Sequence, residues 1–255
     1  MPPYTDSSAA MTESAALSGA PAPEGAPGNA PGARSASPDH PASAPTCLYA
    51  DEALLVLAKP AGLLCVPGRG PDKQDCLSAR AQQHWPEALV VHRLDMATSG
   101  LVLMARTPEV QRALGNAFAA RTIEKRYQAV VQGCMAPAPG GGWGDIELPI
   151  AADWARRPLR VVDAERGKPS HTRWRVLASD AATHTTRLEL APVTGRTHQL
   201  RVHLAAVGHA ILGDALYADA ATLARAPRLL LHATRLALEH PASGEWVQFA
   251  LPPDF

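Results

Sequence analysis

Several things are missing from this chain of 255 residues, and each absence removes a class of protein. No apolar run reaches the ~18 residues that a membrane-spanning helix needs. The opening MPPYTDSSAAMTES has no basic start followed by an apolar stretch, so a secretory signal is not expected. A soluble, cytoplasmic protein that does not engage a membrane follows. The four cysteines, Cys47, Cys65, Cys76 and Cys134, include no CxxC pair, which argues against a zinc knuckle or a disulfide framework. No G-x-x-x-x-G-K-[ST], G-x-G-x-x-G or G-x-S-x-G sequence occurs, so neither a nucleotide cofactor nor a serine-hydrolase reading has support. No repeat of fixed period is present either.

Net charge is also missing: Lys and Arg number 24, Asp and Glu 24. By itself this speaks against a nucleic-acid partner. The charge is unevenly spread, however. Residues 1–45 hold one basic residue, Arg34, against Asp6, Glu13, Glu24 and Asp39, which leaves +3 for the remainder. Between Asp153 and Arg175 lie seven basic residues (Arg156, Arg157, Arg160, Arg166, Lys168, Arg173 and Arg175) against three acidic ones. A local basic patch can bind phosphates on a neutral chain, although a solvated charged face has the same composition.

What is present divides the chain in two. Residues 1–45 are mostly Ala, Pro, Ser and Gly. They cannot bury enough apolar surface to offset their ordering entropy, so a disordered tail is expected. Residues 46–255 read as one catalytic domain. Strands are expected at Leu54–Ala58, Val90–Val91, Leu101–Ala105, Arg126–Gln132, Arg173–Ala178 and Thr186–Ala191, with a hairpin of Arg235–Glu239 and Trp246–Ala250. Helices are expected from an Asp75 cap to Trp85, after Thr107-Pro108-Glu109, and over Thr197–Val207. Hairpins with a few separated helices indicate an α+β fold.

Three segments are richer in polar groups than a core requires. His92-Arg93-Leu94-Asp95 precedes Thr98-Ser99-Gly100 in a loop between two strands. An Asp there commonly caps a turn, but beside Arg93 it is also a candidate nucleophile or base. Tyr127 opens a strand after Glu124-Lys125-Arg126, as a packing residue or as a ring that stacks on a base. In Thr194-Gly195-Arg196-Thr197-His198-Gln199-Leu200-Arg201-Val202-His203, Arg196 stands at a helix mouth, where it could hold a phosphate or the Asp95 carboxylate. His198 and His203 are five apart, which is not the i, i+4 pair of a zinc helix.

Together the segments LAKPAGLLCVPG, VHRLDMATSGLVLMA, EKRYQAVVQG, GRTHQLRVHLAAVGHAILGDALYA and RLLLHA resemble the RluA family of RNA pseudouridine synthases. The resemblance implies a mixed, largely antiparallel sheet with a central cleft and flanking helices. It implies an isomerase that works without metal or cofactor: the uracil glycosidic bond breaks, the base turns, and it rejoins through C5. Asp95 matches the catalytic aspartate, Tyr127 the active-site tyrosine, and Arg196 is matched to the arginine that pairs with that aspartate. Structured RNA would be the substrate, as stem-loops of 23S rRNA and tRNA. Arg93 would fill the space of a flipped base, and Arg156, Arg157, Arg160 and Lys168 would grip phosphates. Larger relatives carry an S4 RNA-binding domain, which residues 1–45 do not resemble, so RNA binding falls to the catalytic domain, expected to act as a monomer. Two other readings compete: metal-assisted RNA cleavage by His92, His198, His203 and His232, and a non-catalytic RNA-binding module.

Overall fold

The apolar run Leu54–Ala58, with Lys59 at its end, forms strand β2 (Leu54–Lys59), and both of its faces are buried. Leu55 and Leu57 point into one core cluster, Leu54 and Val56 into another on the opposite side. A strand covered on both faces reads as a continuous apolar run, without alternation. The computed structural model describes residues 44–255, so the expected tail lies outside the described residues apart from its last two.

The edge strand β1 (Thr46–Ala50) pairs antiparallel with β2. Next come a short 3₁₀ turn (Pro71–Lys73), α1 (Leu77–His84), β3 (Leu89–Val90), β4 (Ser99–Ala105), α2 (Pro108–Ala120) and β5 (Glu124–Gln132). A second 3₁₀ turn precedes β6 (Gly144–Glu147), β7 (Ile150–Ala152), β8 (Arg160–Val162), β9 (His171–Asp180) and β10 (Thr185–Pro192). The chain ends with α3 (Gln199–Ala206), α4 (Ala220–Leu223), β11 (Leu231–Glu239) and β12 (Trp246–Ala250). Ten strands form one sheet in the order β1-β2-β4-β11-β5-β10-β9-β6, with β12 beside β11 and β3 beside β4. The strands β7 and β8 make a separate hairpin. Among the described residues, the strand pairings are antiparallel except β4 with β11, so the sheet is mixed and largely antiparallel, with few helices: the expected α+β architecture.

That parallel junction lies mid-sheet and spans only two residue pairs, His232 with Ser99 and Ala233 with Gly100. Gly100 has φ +115, and a Cβ there would sit 2.4 Å from the Ala233 carbonyl oxygen. Only glycine permits both that backbone and that approach. The two halves of the sheet differ on either side of it. On the β2–β4 side, α1 and α2 cover opposite faces, with Leu77 and Ala81 in one cluster and Leu114 in the other. On the β5–β10–β9 side one face packs with α3, through Ala129, Val131, Leu188, Leu190, Leu200 and Leu204. Tyr127 touches the clusters of both halves.

Local chemistry moved two helix starts. Asp75 was the expected cap of α1, but Cys76 caps it, its Sγ accepting from the Ala79 N–H, because the Asp75 carboxylate is engaged by Arg80. The α3 helix begins at Gln199, not Thr197. His198 has φ +58, and Gln199 Oε1 accepts from Thr194 Oγ1 and the Arg196 N–H, holding residues 194–198 as a turn. The Thr107 cap and Pro108 start of α2 are as the sequence indicates.

Candidate active site

Asp95 sits in the loop between β3 and β4, and the rest of the fold clamps that loop from both sides. Upstream, His92 Nε2 accepts from the Leu103 N–H at 2.9 Å, and its ring lies 4.6 Å from that of Phe118. Burial drives His92 down to about 4, so it accepts as a neutral ring. Downstream, the Asp95 carbonyl accepts from Thr98 and the Met96 carbonyl from Gly62. Lys59 is buried at the end of β2, where its ammonium donates to the carbonyls of Pro60, Leu63 and Met96 at 2.8–2.9 Å. Burial lowers Lys59 to about 8, while its three acceptors favour the charged form. A cation with every donor used ties the residue after Asp95 to the turn that follows β2.

The Asp95 side chain opens into a cleft of about 490 Å³ lined also by Arg93, Tyr127, Arg196, His198 and Arg201. Its Oδ2 is 3.7 Å from an Arg201 guanidinium nitrogen, and its Oδ1 is 3.9 Å from His198 Nε2. Behind these stands a second layer. Arg201 forms a bidentate pair with Asp214 at 2.8 and 2.6 Å, and both residues are buried. Asp214 Oδ1 also accepts from the N–H groups of Leu216 and Tyr217, so the buried charges are hydrogen-bonded throughout. Tyr217 Oη lies 2.7 Å from His198 Nδ1 and accepts from the Arg160 N–H at 3.0 Å. Burial lowers His198, and the Asp95 charge partly opposes this. Burial would lower Arg201 too, but its hydrogen bonds to Asp214 and the negative charges of Asp214 and Asp95 together outweigh that and raise it, so the cation beside Asp95 is permanent.

Arg196 is therefore not the partner that the sequence suggested. It lies on the rim, exposed, with its Nε donating to the Pro169 carbonyl at 3.3 Å. The physical reason is the late start of α3. Arg196 belongs to the turn, whereas Arg201 lies inside the helix on the face toward the cleft. Arg201, Asp214 and Tyr217 escaped sequence reasoning as site residues, and His198 entered it only as a candidate metal ligand. One signal was available: an arginine between Leu200 and Val202 in an otherwise apolar helical stretch is costly unless paired.

Tyr127 reaches the cleft from β5. Burial and then the Asp95 charge raise its phenol well above its ordinary value, so it stays protonated. That favours a packing or hydrogen-bonding role over direct proton removal. Arg93 is exposed at the cleft wall. The other expected RNA contacts lie on the β7–β8 hairpin and the segment after it. Arg156 pairs with Asp153, Arg157 lies over the Trp154 ring, and Arg160 and Lys168 line a second cavity.

The four histidines of the metal-cleavage alternative do not converge. His92 and His198 are engaged as described; His203 contacts Thr172 Oγ1 and the Leu148 carbonyl, and His232 Nδ1 contacts Ser99 Oγ. Among the described residues, no three His, Cys, Asp or Glu side chains are grouped to hold a metal ion. No described helix is long and apolar enough to cross a membrane.

The comparisons with known proteins agree with one another. A family model described as RNA pseudouridylate synthase matches residues 53–206. The dual-specificity RNA pseudouridine synthase RluA of Escherichia coli (strain K12) is 47% identical over 208 residues, covering 82% of this chain and 93% of its own. The RluA of Pasteurella multocida (strain Pm70) is 43% identical over the same shares. Among solved structures, human RNA pseudouridylate synthase domain containing 1 superposes with a TM-score of 0.70 at 26% identity, over 86% of this chain and 87% of its own. With a clamped carboxylate in the cleft of this fold, and with identity running along most of the chain, the protein belongs to the RluA family of RNA pseudouridine synthases and is an isomerase.

Proposed function

We propose that this enzyme isomerises specific uridines in both large-subunit ribosomal RNA and the anticodon stem-loop of tRNA, in the cytoplasm and as a monomer, with Asp95 as its catalytic carboxylate. The observation that carries this reading is the Asp95 carboxylate held between Arg201 and His198 at the cleft. The dual substrate range follows the dual-specificity relatives, nearly half identical along almost their whole length. The match begins within the region after residue 45, so the catalytic domain of residues 46–255 is proposed to suffice, with residues 1–45 dispensable.

The chemistry is balanced within the nucleoside. The N1–C1′ bond breaks, C5 bonds to C1′ in its place, the C5 proton is released and N1 takes one up. No oxidant and no second substrate is needed. Asp95 supplies negative charge and nucleophilicity at the reacting nucleoside as the glycosidic bond opens. Arg201 keeps that charge stable in the enclosed cleft. A stacked uridine must leave its helix or loop to reach the carboxylate, and Arg93 on the cleft wall fills the space it leaves. Tyr127, protonated, packs on the flipped ring. Arg196 on the rim takes the phosphate role that its position at the turn allows.

Tritium release from C5-labelled uridine RNA tests the assignment directly. Asp95→Asn keeps the shape and removes the charge, so release should become undetectable while RNA affinity changes by less than about tenfold. Measurable release by that variant would sink the assignment of Asp95. A non-catalytic RNA-binding module would release no tritium even as wild type.

A further inference from the structure

We infer that the cavity between the β7–β8 hairpin and the 195–197 turn is a subsite for an RNA nucleotide neighbouring the target, its base stacked on Trp154 and its phosphate held by Arg160, Lys168 and Arg196. This rests on the RNA substrate proposed above and adds to it a place and a partner chemistry. The cavity measures about 550 Å³, a size that admits a nucleotide. It shares Gly195 and Arg196 with the Asp95 cleft, so its occupant lies beside the reacting nucleoside.

Two independent features give it a ligand chemistry. The first is aromatic. Trp154 is 72% exposed at the turn of the hairpin, an unusual position for an indole. The Arg157 guanidinium lies 3.9 Å from its ring centroid on one side, which leaves the other side open to a base. The turn is held in place by Asp153, which accepts from the Arg156 N–H and pairs with the Arg156 guanidinium. Exposed aromatic rings backed by a guanidinium are the common platform for unpaired bases.

The second feature is unspent positive charge. Arg166 also lines the cavity, but it is committed to Asp163. Arg160, Lys168 and Arg196 have no carboxylate partner among the described residues. Among the described residues, Arg160 Nε is buried without a hydrogen-bond partner, and the Arg196 side chain reaches only the Pro169 carbonyl. Three cations lining one cavity repel one another, and an entering phosphate relieves that repulsion. Occupancy would also be felt at the reaction centre. The Arg160 N–H is bound by Tyr217 Oη, which contacts His198, which faces Asp95.

The test uses the full chain and a stem-loop RNA whose target uridine is replaced by cytidine, so that binding is read without turnover. Each remaining loop nucleotide is replaced in turn by an abasic ribose. For wild type, one abasic position next to the target should weaken binding about tenfold, the scale of a single base–aromatic stack. Trp154→Ala should lose about the same factor on the intact loop and nothing more on that abasic RNA, whereas Trp154→Phe should keep most of the affinity. Trp154 is exposed, so the variants should melt with the wild type. Wild-type affinity in Trp154→Ala, or losses that simply multiply at every abasic position, would overturn the subsite, as would failure of wild type to bind. The Asp95 assignment is read by tritium release on the uridine RNA, so the two can fail separately.

Discussion

Two arginine-rich regions of this protein are each gathered at a tryptophan, and they are built in opposite ways. Around Trp143, the guanidiniums of Arg126, Arg173 and Arg175 lie 5.0–5.4 Å from the ring, and each has a carboxylate: Glu124, Asp145 and Glu189. Around Trp154, Arg160, Lys168 and Arg196 have none among the described residues. The sequence counts Arg173 and Arg175 in the same basic stretch as Arg160 and Lys168. Strand alternation separates them. On β9, Thr172, Trp174 and Val176 face the side that packs with α3, which sends Arg173 and Arg175 to the other face of the sheet. An arginine already neutralised by a carboxylate gains little from a phosphate, whereas an unpaired one near the cleft gains a charge-assisted bond. Charge density along the chain is therefore a poor guide to an RNA surface; unpaired charge at the cleft is a better one.

The largest expected effect sharpens the comparison at its catalytic end. Arg201→Met removes the permanent cation behind Asp95, and turnover should fall about a thousandfold, matching the ~4 kcal/mol of stranding a buried charge. Its melting temperature should fall as well, because Asp214 loses its partner, so rates are to be compared well below the melt. Arg196→Met should instead raise KM about tenfold with kcat nearly kept, as expected for one lost phosphate contact. Equal kcat losses in the two variants would return Arg196 to the place beside Asp95 that the sequence first assigned to it.

A middle-sized effect sets the two arginine regions directly against each other. Arg160→Gln with Lys168→Gln should lower the slope of log affinity against log salt by about 1.4, the value for two phosphate contacts on single-stranded RNA. Arg173→Gln with Arg175→Gln should leave that slope within experimental error and cost stability only slightly, as exposed pairs do. If the second pair flattens the slope and the first does not, the RNA lies on the Trp143 face.

The smallest effect concerns the link between the regions. Tyr217→Phe keeps the ring under Arg201 but frees His198 Nδ1 and the Arg160 N–H. Of the two bonds lost, the one to His198, worth ~1.5 kcal/mol, should lower kcat about tenfold, while RNA affinity moves less than threefold. A change in affinity alone would make Tyr217 a support for the hairpin with no connection to the carboxylate.

Much of this was legible in the sequence, and for identifiable reasons. Leu54–Ala58, the Thr107-Pro108 helix start and the Trp246–Ala250 strand carry local signals: a continuous apolar run, a capping hydroxyl, and alternation. Asp95, Arg93 and Tyr127 could be picked out because their motifs are contiguous, and all three line one cleft. The short strands β6, β7 and β8 carry no such signal; they are three or four residues long, too short to show a period, and their pairing partners define them.

What the sequence determined by itself was the α+β class, the family, and the loop that bears the carboxylate, because each is written in neighbouring residues. Which arginine faces that carboxylate was decided only in three dimensions. Arg196 and Arg201 share one short motif, and their different fates depend on where α3 begins, on Gln199 capping the turn, and on Asp214 arriving from a later loop. The same holds for Lys59, whose ammonium collects the Met96 carbonyl from 37 residues away. Buried charges must find partners wherever the fold supplies them, and the chain's local order does not encode that partner's address.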